Sequence, residues 1–315
     1  MSELRQAIDQ YLTLRRSLGF ELREPETVLR RFVAFAEREG AAYITTDLVL
    51  RWTSEPSKAQ PATWASWVAM VRRFAHWWSA TDPRTEVPPE GLLAHRYHRQ
   101  PPYIYSDDEI KRLVRAATQL PSANGLRALT YSTYFGLVAA TGIRMSEGLA
   151  LDRSDVDHEE GILTIQRTKF GKSRIVPLHA STRAVLEDYA AQRNLILRRV
   201  ETPAFFVSEQ GRRITQWSAR YNFARVSQQI GLRPTVGGHR HGHGPRLHDL
   251  RHRFAVRTLI EWYRKGLDVE REIPKLATYL GHVHVNDTYW YLEAVPELLQ
   301  LATERLMQQR QEELS

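Results

Sequence analysis

Hydrophobic residues recur every three or four positions through the first eighty residues of the chain, the spacing that places side chains on one face of a helix. Pro61 precedes the last of these stripes, and proline is tolerated in the first turn of a helix. We therefore predict a helical domain over residues 1–82, with its tryptophans in the core rather than serving as base-stacking platforms. The three stripes consist of Ile8, Tyr11 and Leu12; of Val28, Phe32, Phe35 and Ala36; and of Trp67, Val68, Val71, Phe74 and Trp78.

This pattern is interrupted between residues 83 and 104, which we interpret as a linker between two domains. Proline removes a helical hydrogen-bond donor and clashes with the preceding turn, so a proline-rich stretch does not continue a helix. The residues Ser106-Asp107-Asp108-Glu109 then have the spacing of a capping box, which marks the start of a helix. The second domain is therefore predicted over residues 105–315. The prolines concerned are Pro83, Pro88, Pro89, Pro101 and Pro102.

The second domain combines helical stripes with three short strand-like segments. Residues 155–158, 162–166 and 174–178 have strand character, and the turns between them contain Gly161 and Gly171. Short strands joined by such turns favour a small antiparallel sheet. Residues 231–245 are glycine-rich and predicted to be irregular. Further helices are predicted over 126–138, from about 144, around 185–189 and 217–226, and over 248–263, 273–280 and 296–309. The predicted fold class is mainly α with a small antiparallel β-sheet.

Composition narrows the classes of function. Hydrophobic residues make up 42% of the chain, which is typical of a folded protein, and no apolar run is long enough to suggest a membrane partner. Cysteine is absent, so disulfides, thiolate nucleophiles and cysteine-ligated zinc are excluded. Lys and Arg number 44 against 36 Asp and Glu, a net charge of +8, which is compatible with a polyanionic partner without establishing one.

Candidate chemistry begins with a basic stretch between residues 233 and 253. It holds five arginines and five histidines, with Asp249 as its one acid. A charge run of this kind is usually a solvated surface. However, His248 and Arg251 lie three residues apart on a predicted helix, so both side chains share one face. A histidine beside a guanidinium suits a phosphate, because arginine offers paired N–H groups to two oxygens.

Four further segments carry residues that singly have ordinary explanations. The segment Thr141-Gly142-Ile143-Arg144-Met145-Ser146-Glu147 contains an i,i+3 pair of a kind common on helix surfaces. Lys169 precedes Gly171 in a predicted hairpin turn, where a lysine is unremarkable. Leu280-Gly281-His282 follows near the C-terminus, and nine residues beyond that histidine comes Tyr291, which alone would be interpreted as a packing residue.

Taken in order, these segments resemble the tyrosine recombinase family, also called the phage integrase family. The family pattern is an arginine in a T-G-x-R-x-x-E box, a hairpin lysine, H-x-x-R, a later L-G-H, and a tyrosine nine residues on. The resemblance covers about residues 105–300 and is looser over the N-terminal helices, which match the family's core-binding domain in size and position. The matching residues are Arg144, Lys169, His248, Arg251, His282 and Tyr291.

The resemblance implies a role for each residue in cutting and rejoining DNA. Arg144, His248, Arg251 and His282 would bind the oxygens of one phosphate, with Glu147 orienting its neighbours. Several groups are needed, because one positioned donor supplies about 3–4 kcal/mol of a barrier reduction of roughly 8–23 kcal/mol. Tyr291 would form a covalent 3′-phosphotyrosine, Lys169 would act as general acid, and His248 would be the base. No metal, ATP or other cofactor is expected.

The resemblance also implies partners. Double-stranded DNA would lie between the helical N-terminal DNA-binding domain and the catalytic domain. The enzyme would form dimers to tetramers on DNA, alone or with related recombinases, and its C-terminal helix would dock in cis or, as we favour, on a neighbouring protomer. A prokaryotic cytoplasm or a mobile element is the expected setting, and the sequence leaves open whether the task is integration, transposition, dimer resolution or inversion. The residues predicted to contact DNA are Arg72, Arg73, Lys172, Arg174, Arg240 and Arg246.

Three alternatives stay open at this point. Tyr289 lies two residues from Tyr291 and is a second candidate nucleophile. His239, His241 and His243 alternate, so on an extended segment they would share one side and could bind a metal, although a basic loop along DNA is the favoured interpretation. In function, a catalytically silent DNA-binding relative and a type IB topoisomerase or resolvase are the competing classes.

Overall fold

A computed structural model describes residues 2–55, 59–93, 101–166, 173–198, 201–234 and 244–313 of the chain. The chain divides into two compact units, Met1–Gln100 and Pro101–Ser315. Each unit has its own hydrophobic core, and each is described here by itself. Among the described residues, no helix is both long enough and apolar enough to cross a membrane.

The described part of the N-terminal unit contains four helices around one core. They are α1 (Glu3–Ser17), α2 (Arg23–Arg38), α3 (Thr46–Ser54) and α4 (Pro61–Trp78). The three hydrophobic stripes seen in the sequence all contribute buried residues to this core. The short helix α3 was not predicted, because nine residues show too little of a repeat. It nevertheless buries Leu48, Val49 and Trp52 in the same core.

Local hydrogen bonds explain where several helices begin. Ser2 and Thr45 cap α1 and α3 by accepting a hydrogen bond from a first-turn amide, and Pro61 occupies the first turn of α4. The predicted capping box forms at the start of α5 (Asp107–Ala117). There the Ser106 hydroxyl accepts from the Glu109 amide at 3.1 Å, and the Glu109 carboxylate accepts from the Ser106 amide at 2.8 Å.

The C-terminal unit is built on the apolar helix α6 (Leu126–Thr141), which packs against α5, α8 and α10. Most side chains of α6 are buried, so its own hydrophobic residues lie on all sides of the helix and not along a single stripe. The helices that follow α6 in the described chain are α7 (Met145–Ala150), α8 (Ala180–Leu197), α9 (Gln216–Gln229), α10 (Asp249–Arg264), α11 (Val269–Leu280), α12 (Asn286–Ala294) and α13 (Pro296–Glu313).

Three short strands form an antiparallel sheet in the order β1 (Val156–Asp157), β2 (Ile162–Ile165) and β3 (Arg174–Pro177). Leu163 lies opposite both Val156 and Val176, and all three side chains face the core. Ile165 pairs with Arg174, so the register fixes where the first residue of β3 lies. The prediction of a mainly helical fold with a small antiparallel sheet is confirmed.

Two helices near the C-terminus differ from the prediction. Helix α11 begins at Val269 rather than at 273, because the side chain of Asp268 caps it, and Pro274 lies inside the helix. Helix α12 was not predicted at all, since Asn286–Ala294 shows no sustained apolar stripe.

The first turn of α13 packs against α10 and α12 through Leu298, whereas Leu299, Leu306 and Met307 are exposed.

Candidate active site

Arg144 lies at the junction between α6 and α7. Gly142 ends α6 in the left-handed region (φ +63°), and Arg144 is the residue immediately before α7. Its main-chain amide and its Nη1 each donate to the Glu147 carboxylate at 2.8 Å. The sequence suggested a surface contact for this pair, but Glu147 is buried. The pair is therefore part of the interior of the site.

Arg251 lies in the first turn of α10 and is only 2% exposed. Its Nη1 donates to the carbonyl of Gly142 at 2.8 Å, and its Nη2 donates to the carbonyl of Leu280 at 2.6 Å. Burial, together with the nearby charge of Arg144, lowers the pKa of Arg251 to about 10. The group is therefore still a cation at neutral pH, and it is held by main-chain oxygens from two separate elements.

Arg144 and Arg251 meet at the end of α11. Nη2 of Arg144 donates to the carbonyl of Gly281 at 2.6 Å, directly after the Leu280 carbonyl that Arg251 contacts. The last carbonyls of a helix lack helical partners and carry the negative end of the helix dipole, so they attract cations. Two arginines from distant parts of the sequence are thereby brought onto consecutive residues, next to His282.

A third arginine joins this group from the sheet. Arg174, the first residue of β3, donates to both carboxylate oxygens of Glu147 at 2.9 and 2.7 Å, and its Nε donates to the carbonyl of Tyr279 at 2.7 Å. Burial alone would raise the pKa of Glu147, but hydrogen bonds and charge from Arg174 and Arg144 bring it down to about 2. Arg144, Arg174, Arg251 and Glu147 together form what we call the arginine cluster.

The two predicted histidines lie close in sequence to residues of this site, His248 three residues before Arg251 and His282 directly after Gly281. His248 immediately precedes α10 and is exposed, and its ring packs edge-to-face on His252 with centroids 4.7 Å apart. His282 follows Gly281, and its Nδ1 lies 2.7 Å from the hydroxyl of the buried Thr288. Thr288 thus links His282 to α12, the helix that carries both candidate tyrosines.

Tyr291 is 1% exposed and packs in the hydrophobic cluster formed by α10, α11, α12 and the start of α13. Its hydroxyl lies 2.9 Å from Nδ1 of His252. It also lies near enough to Arg251 to influence the pKa of that arginine. Tyr289, by contrast, is 38% exposed. The buried hydroxyl that lies beside His252, the neighbour of Arg251, is therefore that of Tyr291.

His252 was not selected from the sequence. It directly follows Arg251 and lies one helical turn after His248, so the same basic stretch contained it. The signal that could have identified it is this i,i+4 spacing of two histidines on a helix that also carries Arg251. His252 was passed over because its partner, Tyr291, lies on another helix, so the pairing is a tertiary contact.

The residues predicted to contact DNA lie in different environments. Arg73 and Arg246 are exposed, and Arg72 is half-buried with Nη2 3.3 Å from a carboxylate oxygen of Glu90. Arg174 is only 11% exposed and is engaged by Glu147. Outside the described residues lie Lys169, Lys172, Arg240 and the three alternating histidines, His239, His241 and His243.

The chemistry of the arginine cluster favours an anionic ligand. The cluster contains three guanidinium groups and one carboxylate, which leaves an excess of two positive charges, and both Glu147 and Arg251 are buried. Arginine pairs readily with phosphate oxygens through its planar set of donors. Within the described part of the chain, no three His, Asp or Glu side chains are grouped so that they could hold a metal ion.

Comparisons with known proteins agree with this geometry. Residues 104–297 match the model of the phage integrase family. The protein y4rB of Sinorhizobium fredii, named as an integrase/recombinase, is 47% identical over 310 residues, covering 97% of this chain and 98% of that protein. The tyrosine recombinase XerD of Caulobacter vibrioides is 30% identical over 247 residues, covering 76% and 73% of the two chains.

Solved structures show the same fold. An integrase of the transposon Tn1549 in complex with transposon right end DNA superimposes with a TM-score of 0.63 at 14% identity, covering 98% of this chain and all of that one. The XerH recombinase bound to a palindromic difH substrate gives a TM-score of 0.62 at 19% identity, with 88% and 77% of the chains covered. At such identities the likeness concerns the fold.

Proposed function

The chain belongs to the phage integrase family of tyrosine recombinases, and from this premise we propose that its own residues cleave and rejoin DNA at specific sites. Arg144, Arg251 and His282 would bind the non-bridging oxygens of one phosphate, where guanidinium groups stabilise charge as it develops in the transition state. The observation that carries the proposal is the meeting of Arg144 and Arg251 on consecutive carbonyls beside His282.

The proposed reaction conserves the ester bond. The Tyr291 oxygen attacks phosphorus while the bond to the 5′ oxygen breaks, and the product is a 3′-phosphotyrosine and a free 5′-hydroxyl. His248 accepts the tyrosine proton, and Lys169, which lies outside the described residues, donates one to the 5′ oxygen. Attack by a 5′-hydroxyl of another duplex reverses these steps and restores Tyr291. No ATP is consumed, and the arginines supply the positive charge.

Tyr291 is the proposed nucleophile in preference to Tyr289. Its hydroxyl lies 2.9 Å from Nδ1 of His252, the residue that follows Arg251, as expected for a group that attacks a phosphate bound by Arg251. Tyr289 is on the same helix and is 38% exposed. Glu147 is proposed to orient Arg144 and to have no chemical step of its own.

We propose double-stranded DNA as the partner of both units. Residues 1–82 would form the core-binding domain, residues 83–104 the linker and residues 105–315 the catalytic domain, with Arg72, Arg73 and Arg246 on phosphates. Related structures are named as a dimer on a core site and a tetramer on a Holliday junction, both of lambda integrase. We extend such assemblies to this chain, with the exposed part of α13 docking on a neighbouring protomer, and place the enzyme in a prokaryotic cytoplasm.

Covalent capture tests this function and identifies the DNA site in the same experiment. The protein is expressed in a bacterial host, cells are lysed in denaturant, and DNA fragments attached to protein are sequenced. We expect fragments that share one short sequence, attached through their 3′ ends to a peptide containing Tyr291. A chelator should not reduce the yield. Absence of any adduct, with DNA binding retained, would instead indicate a catalytically silent relative.

A further inference from the structure

Three arginines use three consecutive carbonyl oxygens at the end of α11. Arg174 donates to the carbonyl of Tyr279, Arg251 to that of Leu280 and Arg144 to that of Gly281, at 2.6 to 2.7 Å. These carbonyls carry the negative end of the helix dipole and have no helical partners. One helix end therefore fixes one N–H of each guanidinium, two of which are the proposed phosphate ligands.

Arg174 connects this helix end to Glu147. Its Nη1 and Nη2 form a bidentate pair with the carboxylate, and Oε1 of Glu147 also accepts from Nη1 of Arg144 at 2.8 Å. While Arg174 occupies both oxygens, Glu147 is shared between two arginines. The main-chain amide of Arg144 donates to Oε2 at 2.8 Å, so Arg174 supplies two of the four hydrogen bonds that hold this carboxylate against Arg144. Without Arg174, the carboxylate would lose these two bonds and would no longer be fixed in the orientation that holds the Arg144 guanidinium. The position of Arg144 thus depends on Arg174.

Gly281 shows how closely the guanidinium groups pack. A Cβ atom there would lie 2.9 Å from Nη1 of Arg174, 3.1 Å from its Cζ and 3.2 Å from Nη1 of Arg144, and the residue has φ +68°. Because glycine adopts the left-handed conformation readily and has no side chain, both guanidinium groups can approach the backbone directly before His282. Arg174 therefore packs directly against Gly281 and helps to position the Leu280-Gly281-His282 segment.

We propose that Arg174 is a positioning residue for strand transfer, which fixes Arg144 through Glu147 and the α11 carbonyls rather than contacting DNA. This role in catalysis rests on the proposed function. The side chain of Arg174 is 11% exposed, and three of its five N–H donors form hydrogen bonds inside the protein. A residue held in this way fixes the positions of the proposed phosphate ligands and does not itself bind a phosphate of the DNA backbone.

The two roles differ in what substitution does. Loss of a phosphate contact lowers DNA affinity and reduces the slope of log affinity against log salt by about 0.9, and lysine restores much of both. Loss of a bidentate bridge leaves affinity and slope unchanged and slows cleavage, and lysine does not restore it, because an ammonium cannot reproduce the paired donors. Arg174→Met and Arg174→Lys therefore separate the two interpretations.

The experiment measures DNA binding across salt concentrations and single-turnover cleavage of a nicked duplex carrying the captured site, at saturating protein. We expect both Arg174 variants to cleave about 10²-fold more slowly, the loss typical of a misplaced catalytic group, with affinity within twofold of wild type and an unchanged salt slope. The matched control is Arg183→Met, since Arg183 is an exposed arginine paired with Glu187 at 3.0 Å. It should behave as wild type in every assay.

Two results would overturn the proposal. One is cleavage at the wild-type rate by Arg174→Met. The other is a loss of salt slope in Arg174→Met that Arg174→Lys restores. If wild-type protein cleaves no DNA, the proposed function fails, and binding of inorganic orthovanadate, followed by thermal unfolding, still tests the positioning role. Binding at least tenfold weaker in both Arg174 variants and unchanged in Arg183→Met supports it, and equal binding in all four proteins contradicts it.

Discussion

Arg144, Arg174 and Arg251 each donate to a main-chain carbonyl at the end of α11, whereas the ring of Tyr291 packs among apolar side chains of α10 to α13. The arginine cluster is polar, carries excess positive charge and is fixed by main-chain atoms. The surroundings of Tyr291 are held by hydrophobic packing and by the contact with His252. The same site thus contains two differently built regions.

The difference follows from what each region has to do. Charged donors stabilise a transition state best when they are already in place, because moving them during the reaction costs free energy. The proposed nucleophile has to approach phosphorus, and Tyr291 is buried, with only 1% of its surface exposed. We therefore expect DNA binding to leave the arginine cluster almost unchanged and to shift α12. Substitutions that change one region and leave the other intact test this contrast.

The largest effect is expected from Tyr291→Phe, which removes the attacking oxygen and leaves the arginine cluster intact. Adducts on a nicked duplex carrying the captured site should be undetectable by denaturing gel, while DNA affinity stays within about twofold of wild type. Tyr289→Phe is the matched control, since it removes an equivalent hydroxyl from the exposed side of the same helix. Adducts that persist in Tyr291→Phe and vanish in Tyr289→Phe would identify Tyr289 as the nucleophile.

Arg144→Lys alters the arginine region while keeping its charge. A lysine ammonium cannot reproduce the fork that donates to both Glu147 and Gly281 and that we propose also binds a phosphate. Cleavage in single turnover should fall by about 10²- to 10³-fold, the usual loss for one preorganised donor. Arg183→Lys makes the same exchange at an exposed arginine and should retain activity. A mild effect at Arg144 would mean that charge alone suffices there.

Glu147 makes the arginine region sensitive to acid. Its pKa falls from 4.5 to about 2 in the folded chain, so its stabilising contribution is complete above about pH 4.5 and is lost as the pH falls towards 2. This contribution amounts to about 3 kcal/mol. In urea unfolding followed by circular dichroism, the stability difference between wild type and Glu147→Gln should therefore narrow as the pH is lowered from 6 to 3.

The control for this measurement is Glu187→Gln, which removes an exposed carboxylate from a surface ion pair. Surface pairs contribute little to folding stability, so its difference from wild type should be small and nearly independent of pH. If Glu147→Gln shows the same flat profile, Glu147 is not the buried acceptor that organises the arginines, and the preorganisation of this region has another origin.

The sequence predicted the fold best where the periodicity was long. The stripes of α1, α2 and α4 and the capping box of α5 all form as expected, because local spacing and local hydrogen bonds determine them. Helices α3 and α12 were missed, since nine residues make only about two and a half turns and their packing is decided by distant partners. Tertiary context, not propensity, makes Asn286–Ala294 helical.

Within the site, residue types and order were predictable, but the connections were not. The sequence identified Arg144, Arg251 and Tyr291, and it treated Glu147 as an orienting neighbour. It could not show that Arg174 contacts Glu147 or that three carbonyls at the end of α11 bind three arginines. Every residue has a main-chain carbonyl, so a main-chain acceptor cannot be recognised from the residue type. His252 escaped notice for a related reason, since its contact with Tyr291 spans 39 residues.

The smallest expected effect concerns the hydrogen bond between the Tyr291 hydroxyl and Nδ1 of His252, which lies on the same helix as Arg251. If this bond holds the tyrosine in its buried position, removing it favours release and speeds the first cleavage step. A hydrogen bond of this kind contributes about 1 kcal/mol, which corresponds to a roughly fivefold change in rate. His252→Leu should therefore form adducts about fivefold faster in single turnover, with unchanged DNA affinity.

His252→Asn is the matched variant, because its side-chain amide places a polar atom where Nδ1 of the histidine lies. It should keep the contact and cleave at close to the wild-type rate, which separates loss of the hydrogen bond from loss of the ring. Slower cleavage by both variants would place His252 in the chemical step, alongside Arg251 and His248. The tyrosine region would then be organised for the reaction before DNA binds, as the arginine cluster is, and the contrast between the two regions would no longer hold.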